Sequence, residues 1–142
     1  MDKVSRRENS ASDYTAELRA KEKFDRIADF LGMKVVELSP GYAKVAMKLK
    51  PEYLNSLGLI FGGIIMAVAD QAFAYASNSL AHPSLASQFN THFIAAPAVD
   101  DELIAEGRVL VSGRRAGISE IVVTNQAGKL IAKSTGTTIP VG

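Results

Sequence analysis

The sequence predicts an α+β domain, with one curved antiparallel sheet of five to six strands wrapped around a long central helix and an extra N-terminal helix. Three observations lead there. At 142 residues the chain is one domain's worth of protein and long enough to bury a core. From Tyr53 to Val99 the only Asp, Glu, Lys or Arg is Asp70, and within that stretch residues 62–79 read as a helix buried in protein on nearly all sides. Around it lie alternating segments separated by turn signals, the pattern of antiparallel strands. A helix that is apolar around most of its circumference needs a wrapper, and a curved sheet supplies one.

Composition excludes several functions. Sixteen basic residues meet 15 acidic ones, a net charge of +1, so nothing pulls the chain toward nucleic acid or an anionic membrane. There is no Cys, which rules out disulfides, thiolate metal sites and a Cys nucleophile, and two His cannot build a His-rich metal cluster. No metal site is expected. Met1-Asp2-Lys3 leads into polar sequence rather than an apolar segment, so a cytoplasmic location is the default expectation.

The elements follow in order. Residues 1–12 read as a disordered tail, and 13–142 as a single domain. Ser12 can cap a helix over 13–31, with Phe24, Ile27, Ala28 and Leu31 on its docking face and Gly32 as its stop. Glu17–Lys21 and Glu22–Arg26 are i, i+4 pairs on its wet face. Strands are expected at Met33–Leu38 and Tyr42–Leu49, joined by Ser39-Pro40-Gly41. The apolar run Leu57–Ala69 has 13 residues, short of the ~18–20 that span a bilayer, so residues 62–79 read as a helix buried in protein. Leu85–Ala95, Leu103–Ser112, Ile118–Asn125 and Leu130–Ile139 complete the sheet as an antiparallel meander.

Chemistry concentrates on the central helix. An ionised carboxylate among apolar neighbours is costly unless something compensates it. Asp70 therefore either finds a distant cation or solvent, or serves as a catalytic base or nucleophile with a tuned pKa. Gly62 and Gly63 stand at the predicted helix start, where free N–H groups can polarise a carbonyl and glycine lets a ligand come close. Packing against a strand would explain the pair equally well. Gly62 and Asp70 are eight residues apart, about 12 Å along a helix axis at ~1.5 Å per residue. Two groups so separated cannot act on one carbonyl from one helix. If both serve one reaction they come from two chains, with helices antiparallel across a two-fold axis.

Asn55, Gly62-Gly63 and Asp70 at these spacings, with Phe93-Ile-Ala-Ala-Pro97, Asp101-Glu-Leu and Gly128-Lys-Leu-Ile-Ala132, resemble the hotdog-fold acyl-CoA thioesterases. The phenylacetyl-CoA thioesterase-like branch is the nearest in pattern, over Met33 to the C-terminus. The resemblance implies a hotdog fold and homodimers that pair into dimers of dimers. It also implies acyl-CoA substrates, with coenzyme A as part of the substrate and no separate cofactor. It places the polarising N–H at Gly62, the carboxylate at Asp70, from the partner chain, and an amide near water or substrate at Asn55. Ser87 falls near a position where relatives carry a helping hydroxyl. The family has His before the glycine pair; here Phe61 stands there, which cannot hydrogen-bond and can instead line the acyl pocket beside Gly63. Gln71 can line the site or cap polar ends, and Arg114 and Arg115 can grip coenzyme A phosphates or simply be solvated. Thioester hydrolysis is the expectation; a non-catalytic acyl-CoA-binding or sensing protein is the alternative, motivated by Phe61. No nucleic-acid or membrane partner is expected.

Overall fold

The structure, a computed structural model, describes residues 12–141. In chain order it forms α1 (Thr15–Lys21), a 3-10 turn (Glu22–Phe24), α2 (Arg26–Leu31), β1 (Met33–Ser39) and β2 (Tyr42–Lys48). The long helix α3 (Gly62–Asn78) follows, then β3 (Ser84–Phe93), β4 (Glu102–Ser112), β5 (Gly117–Asn125) and β6 (Leu130–Pro140). All neighbouring strands are antiparallel, in the order β1-β2-β4-β5-β6-β3. The sheet and central helix are those of the hotdog fold.

Alternation decides which strand faces reach the helix. Ala43, Val45 and Met47 of β2, Leu103 and Ala105 of β4, Ile121 and Val123 of β5, and Ile131 of β6 are fully buried. They meet Ile65, Val68, Ala69, Ala72 and Phe73 of α3. Two glycines permit this close approach. A Cβ at Gly107 would lie 2.8 Å from the Ala72 carbonyl oxygen, and one at Gly136 would lie 2.5 Å from the Phe73 ring. Phe73 fills that hollow and stacks on Phe89 at 5.4 Å between centroids. Truncating it to Ala would cost about 3–5 kcal/mol.

Three expectations change. First, the meander holds only for β4, β5 and β6. β2 and β5 occupy both edges of β4, so β3 pairs with β6 at the far edge. Second, the single helix over 13–31 is broken at Asp25, whose backbone leaves the helical region (φ −82°, ψ 86°). Its carboxylate accepts from Ala28 N at 3.1 Å, capping α2, and from Gln71 Nε2 at 2.6 Å and Tyr75 Oη at 3.0 Å on α3. Those bonds to the central helix outweigh continuation of the local helix. Ala28 and Leu31 dock as expected, while Phe24 and Ile27 remain exposed. Asp13, rather than Ser12, accepts from the Thr15 N–H, and Glu22 pairs with Arg19 rather than Arg26. Gly32 ends α2 in the left-handed conformation, at φ 74°. The tail expected over 1–12 lies outside the described residues except for Ser12.

Third, α3, expected to be buried on nearly all sides, leaves one face open. Gly63 and Asp70 are exposed and Met66, Ala67 and Ala74 are half-buried, forming a stripe along the face turned from the sheet. Among the described residues no helix is long and apolar enough to cross a membrane.

Candidate active site

The chain enters α3 through a loop that Asn55 organises. Its side-chain oxygen accepts from the N–H groups of Leu57 at 2.9 Å and Leu59 at 3.2 Å, and its own N–H donates to the Leu59 carbonyl. The Asn55 oxygen is thus committed to the turn, leaving the NH2 group as the part available to a ligand. Phe61 caps the helix through its backbone: its N–H donates to the Tyr53 carbonyl, and its carbonyl accepts from Ile64 N at 2.9 Å. No side chain caps α3. The N–H groups of Gly62 and Gly63 find no backbone acceptor among the described residues. They are the unsatisfied donors of a helix start, at the positive end of its dipole.

Each glycine lies under an aromatic ring. A Cβ on Gly62 would sit 3.2 Å from Cζ of Phe93, and a Cβ on Gly63 would sit 2.5 Å from Cε2 of Phe61. A methyl at Gly63 would displace the exposed Phe61 ring, and one at Gly62 would press on the Phe93 ring. Beside Gly62 opens an apolar groove of about 250 Å³, lined by Leu59, Ile60, Ile65, Phe93 and the segment Ile94–Pro97. Phe61 is not part of this lining; its exposed ring covers Gly63 instead.

Asp70 points from the open stripe. No Lys, Arg or His pairs with it among the described residues. Neighbouring apolar atoms desolvate it and push its pKa above the usual 3.8. It lies about 12 Å along the axis from Gly62, at ~1.5 Å per residue, so one chain does not bring the two together.

The remaining expected site residues scatter. Gln71 turns to the Asp25 carboxylate, where it holds the N-terminal helices against α3. Ser87 occupies a bulge in the exposed edge strand β3, its hydroxyl donating to the Thr137 carbonyl at 3.3 Å. Arg114 and Arg115 are exposed in the β4–β5 hairpin. The flanks of that hairpin, Gly113 and Gly117, pack near Ser77 and Ala81 at the C-terminal end of α3, opposite Gly62. The groove wall formed by Phe93–Pro97 escaped residue-level assignment, although that stretch contributed to the resemblance. Two features flagged it: an apolar run ending at Pro97, and the absence of charge through Val99.

Comparison with known proteins fits this geometry. The Thioesterase superfamily model matches residues 57–132, from the loop before α3 into β6. The Escherichia coli acyl-coenzyme A thioesterase PaaI is 31% identical over 118 residues, covering 83% of this chain and 84% of that one. The solved structure of E. coli PaaI, from the phenylacetic acid degradation operon, superposes with a TM-score of 0.84 at 30% identity, over 94% of this chain and 97% of that one. A Streptococcus pneumoniae protein described as a hypothetical thioesterase, solved with coenzyme A, aligns with a TM-score of 0.78 at 27% identity, over 84% of this chain and 94% of that one. The chain belongs to the Thioesterase superfamily and is a hotdog-fold enzyme of the PaaI-like branch.

Proposed function

We propose that this protein hydrolyses an acyl-coenzyme A thioester to the free acid and coenzyme A, at a site completed by two subunits. One observation carries the reading: two unpaired amides at the start of α3 adjoin an apolar groove, while the only carboxylate on that helix lies on its open side without a cation among the described residues. The similarity to a named acyl-CoA thioesterase and to a structure holding coenzyme A supports the substrate class.

The edge strand favours the shared site. β3 starts near the C-terminal end of α3, where Ser84 N donates to Asn78 at 2.9 Å, and finishes over Gly62. Its outer edge has no partner among the described residues, and such edges invite pairing. Antiparallel pairing of two β3 strands about their centres carries Gly62 and Phe93 of one subunit toward the Ser84–Ser87 end of the other. That motion closes the gap to the other subunit's Asp70. Arg114 and Arg115, at the same end as Ser84, would then approach the mouth of the shared cleft, where coenzyme A phosphates emerge. Such a dimer can pair again into a dimer of dimers.

In this site the acyl chain lies in the groove and the Gly62 N–H polarises the thioester carbonyl. Asp70 of the partner subunit either takes a proton from water as that water's oxygen attacks the carbonyl carbon, or attacks the carbon itself. In the first route the tetrahedral oxyanion collapses and breaks the C–S bond. In the second, thiolate departs to leave an acyl-aspartyl anhydride that water then hydrolyses. The thiolate carries away the electron pair, and a thiol pKa of ~8.5 lets it leave without a dedicated acid. Single-turnover hydrolysis in labelled water distinguishes the routes, because only the anhydride route can put the label into Asp70.

The test is thiol release from a panel of acyl-CoA esters, wild type beside Asp70→Asn, with molecular mass measured in solution. Turnover by a dimer or larger assembly, abolished in Asp70→Asn, is the expected result. Equal turnover by both proteins, or a monomer that turns over, would overturn the reading. Tight acyl-CoA binding without turnover in the wild type would favour the sensing alternative, for which Phe61 at a hydrogen-bonding position of the family speaks.

A further inference from the structure

We infer that Asp101 is a positioning residue that latches one wall of the acyl groove and so sets which acyl groups fit; this rests on the thioesterase reading above. The wall is the connection between β3 and β4, of which Ile94, Ala95, Ala96 and Pro97 face the groove beside Gly62. It is pinned at two places. At its start, the N–H groups of Ile94 and Ala95 both donate to the Ile131 carbonyl, at 2.8 and 3.1 Å. At its end stands Asp101, only 8% exposed.

The Asp101 carboxylate gathers donors from separate parts of the chain. Oδ2 accepts from Ala98 N at 2.9 Å and from Asn125 Nδ2 at 3.4 Å, while Oδ1 accepts from Gln126 Nε2 at 2.7 Å. Its backbone joins in: the N–H donates to the Ala98 carbonyl and the carbonyl accepts from Leu49 N. Lys48 Nζ adds a bond to the Asp100 carbonyl. Ala98 is thus held by Asp101 on both its N–H and its carbonyl, one residue beyond the Pro97 that faces the groove. Between the two pins the wall has no other backbone bond among the described residues. Where it stands therefore depends on the anchor at Asp101. The Gln126 and Ala98 donors hold the Asp101 carboxyl below its usual pKa, so it remains a full acceptor throughout the neutral range.

Asp101→Asn keeps the volume but turns an acceptor oxygen into an NH2 that must face a donor. The experiment measures kcat and KM for saturated acyl-CoA esters from two to twelve carbons, with amide hydrogen exchange across 94–98. We expect KM for the longer esters to change about 10-fold while kcat for the acetyl ester stays within about twofold, as for a shifted pocket wall. The amide of Ala98, which donates to the Asp101 carboxylate, exchanges faster. A merely structural role would lower the melting temperature yet leave the chain-length profile parallel to wild type with unchanged exchange, and that result overturns the inference. If Asp101→Asn does not fold, Gln126→Ala, at an exposed position, removes one donor and must shift the profile the same way by a smaller factor. If the wild type cleaves no ester, the thioesterase reading fails, and the exchange of Ala98 alone decides whether the latch exists.

Discussion

Asp101 is buried and receives hydrogen bonds from a backbone N–H and two side-chain amides, whereas Asp70 stands on the open side of α3 and receives none among the described residues. Their pKa values move in opposite directions, down at Asp101 because donors stabilise the charge and up at Asp70 because apolar neighbours desolvate it. Depth therefore does not separate the carboxylate proposed to react from the one proposed to latch the groove wall. The number of donors does: a carboxylate whose lone pairs are filled holds a loop in place, while one with free lone pairs can take a proton or attack a carbon.

The largest test of that contrast is turnover. Asp70→Asn removes the proton acceptor and should cost about 10²–10⁴-fold in kcat, read by thiol release, with circular dichroism unchanged. A loss of comparable size in Asp101→Asn for the acetyl ester would erase the distinction. Next comes Gly62→Ala, whose Cβ would press on the Phe93 ring at 3.2 Å. We expect roughly a 10-fold loss in kcat, because the amide must shift from its line to the carbonyl.

Stability sharpens the comparison further, with opposite signs. Asp101 has a lowered folded pKa, so its contribution is complete above the ordinary value of 3.8 and is lost as pH falls through the folded value. Asp101→Asn should thus melt below wild type at pH 7, and the gap should close as the pH drops under 3.8. Asp70 has a raised folded pKa, so the cost of its charge to folding sets in as the pH rises past 3.8 and is complete above the raised value. Asp70→Asn should melt slightly above wild type at pH 7, and this advantage should vanish below pH 3.8. It is the smallest of these effects because the group is partly solvated. Melting curves between pH 3 and 7 check both; a stabilised Asp101→Asn or a destabilised Asp70→Asn would break the contrast.

Strand positions were legible in the sequence because alternation and turn residues are local signals. Tyr42–Lys48 and Leu130–Pro140 lie within a residue of their expected limits. α3 was legible for the same reason, since a run headed by two glycines, ended by Asn78 and carrying only the charge of Asp70 can be read without its neighbours. So were Asp70 and the glycine pair, which stand out by type and spacing. The groove was not. Its lining comes from Leu59, Ile60, Gly62 and Ile65 and from Phe93–Pro97, about thirty positions further on, and nothing in either stretch encodes the other.

By itself, then, the sequence determined which segments are strands, where the central helix runs, and that one acid stands alone on it. These follow from periodicity and charge, which each segment carries within itself. Tertiary structure alone decided that Asp25 would break the N-terminal helix to bind Gln71 and Tyr75, that β3 would take the far edge beside β6, and that Asp101 would gather Ala98, Asn125 and Gln126. Each of those outcomes is a competition among partners distant in the chain, and it is settled only when the sheet closes around the helix and fixes which donors and edges remain free.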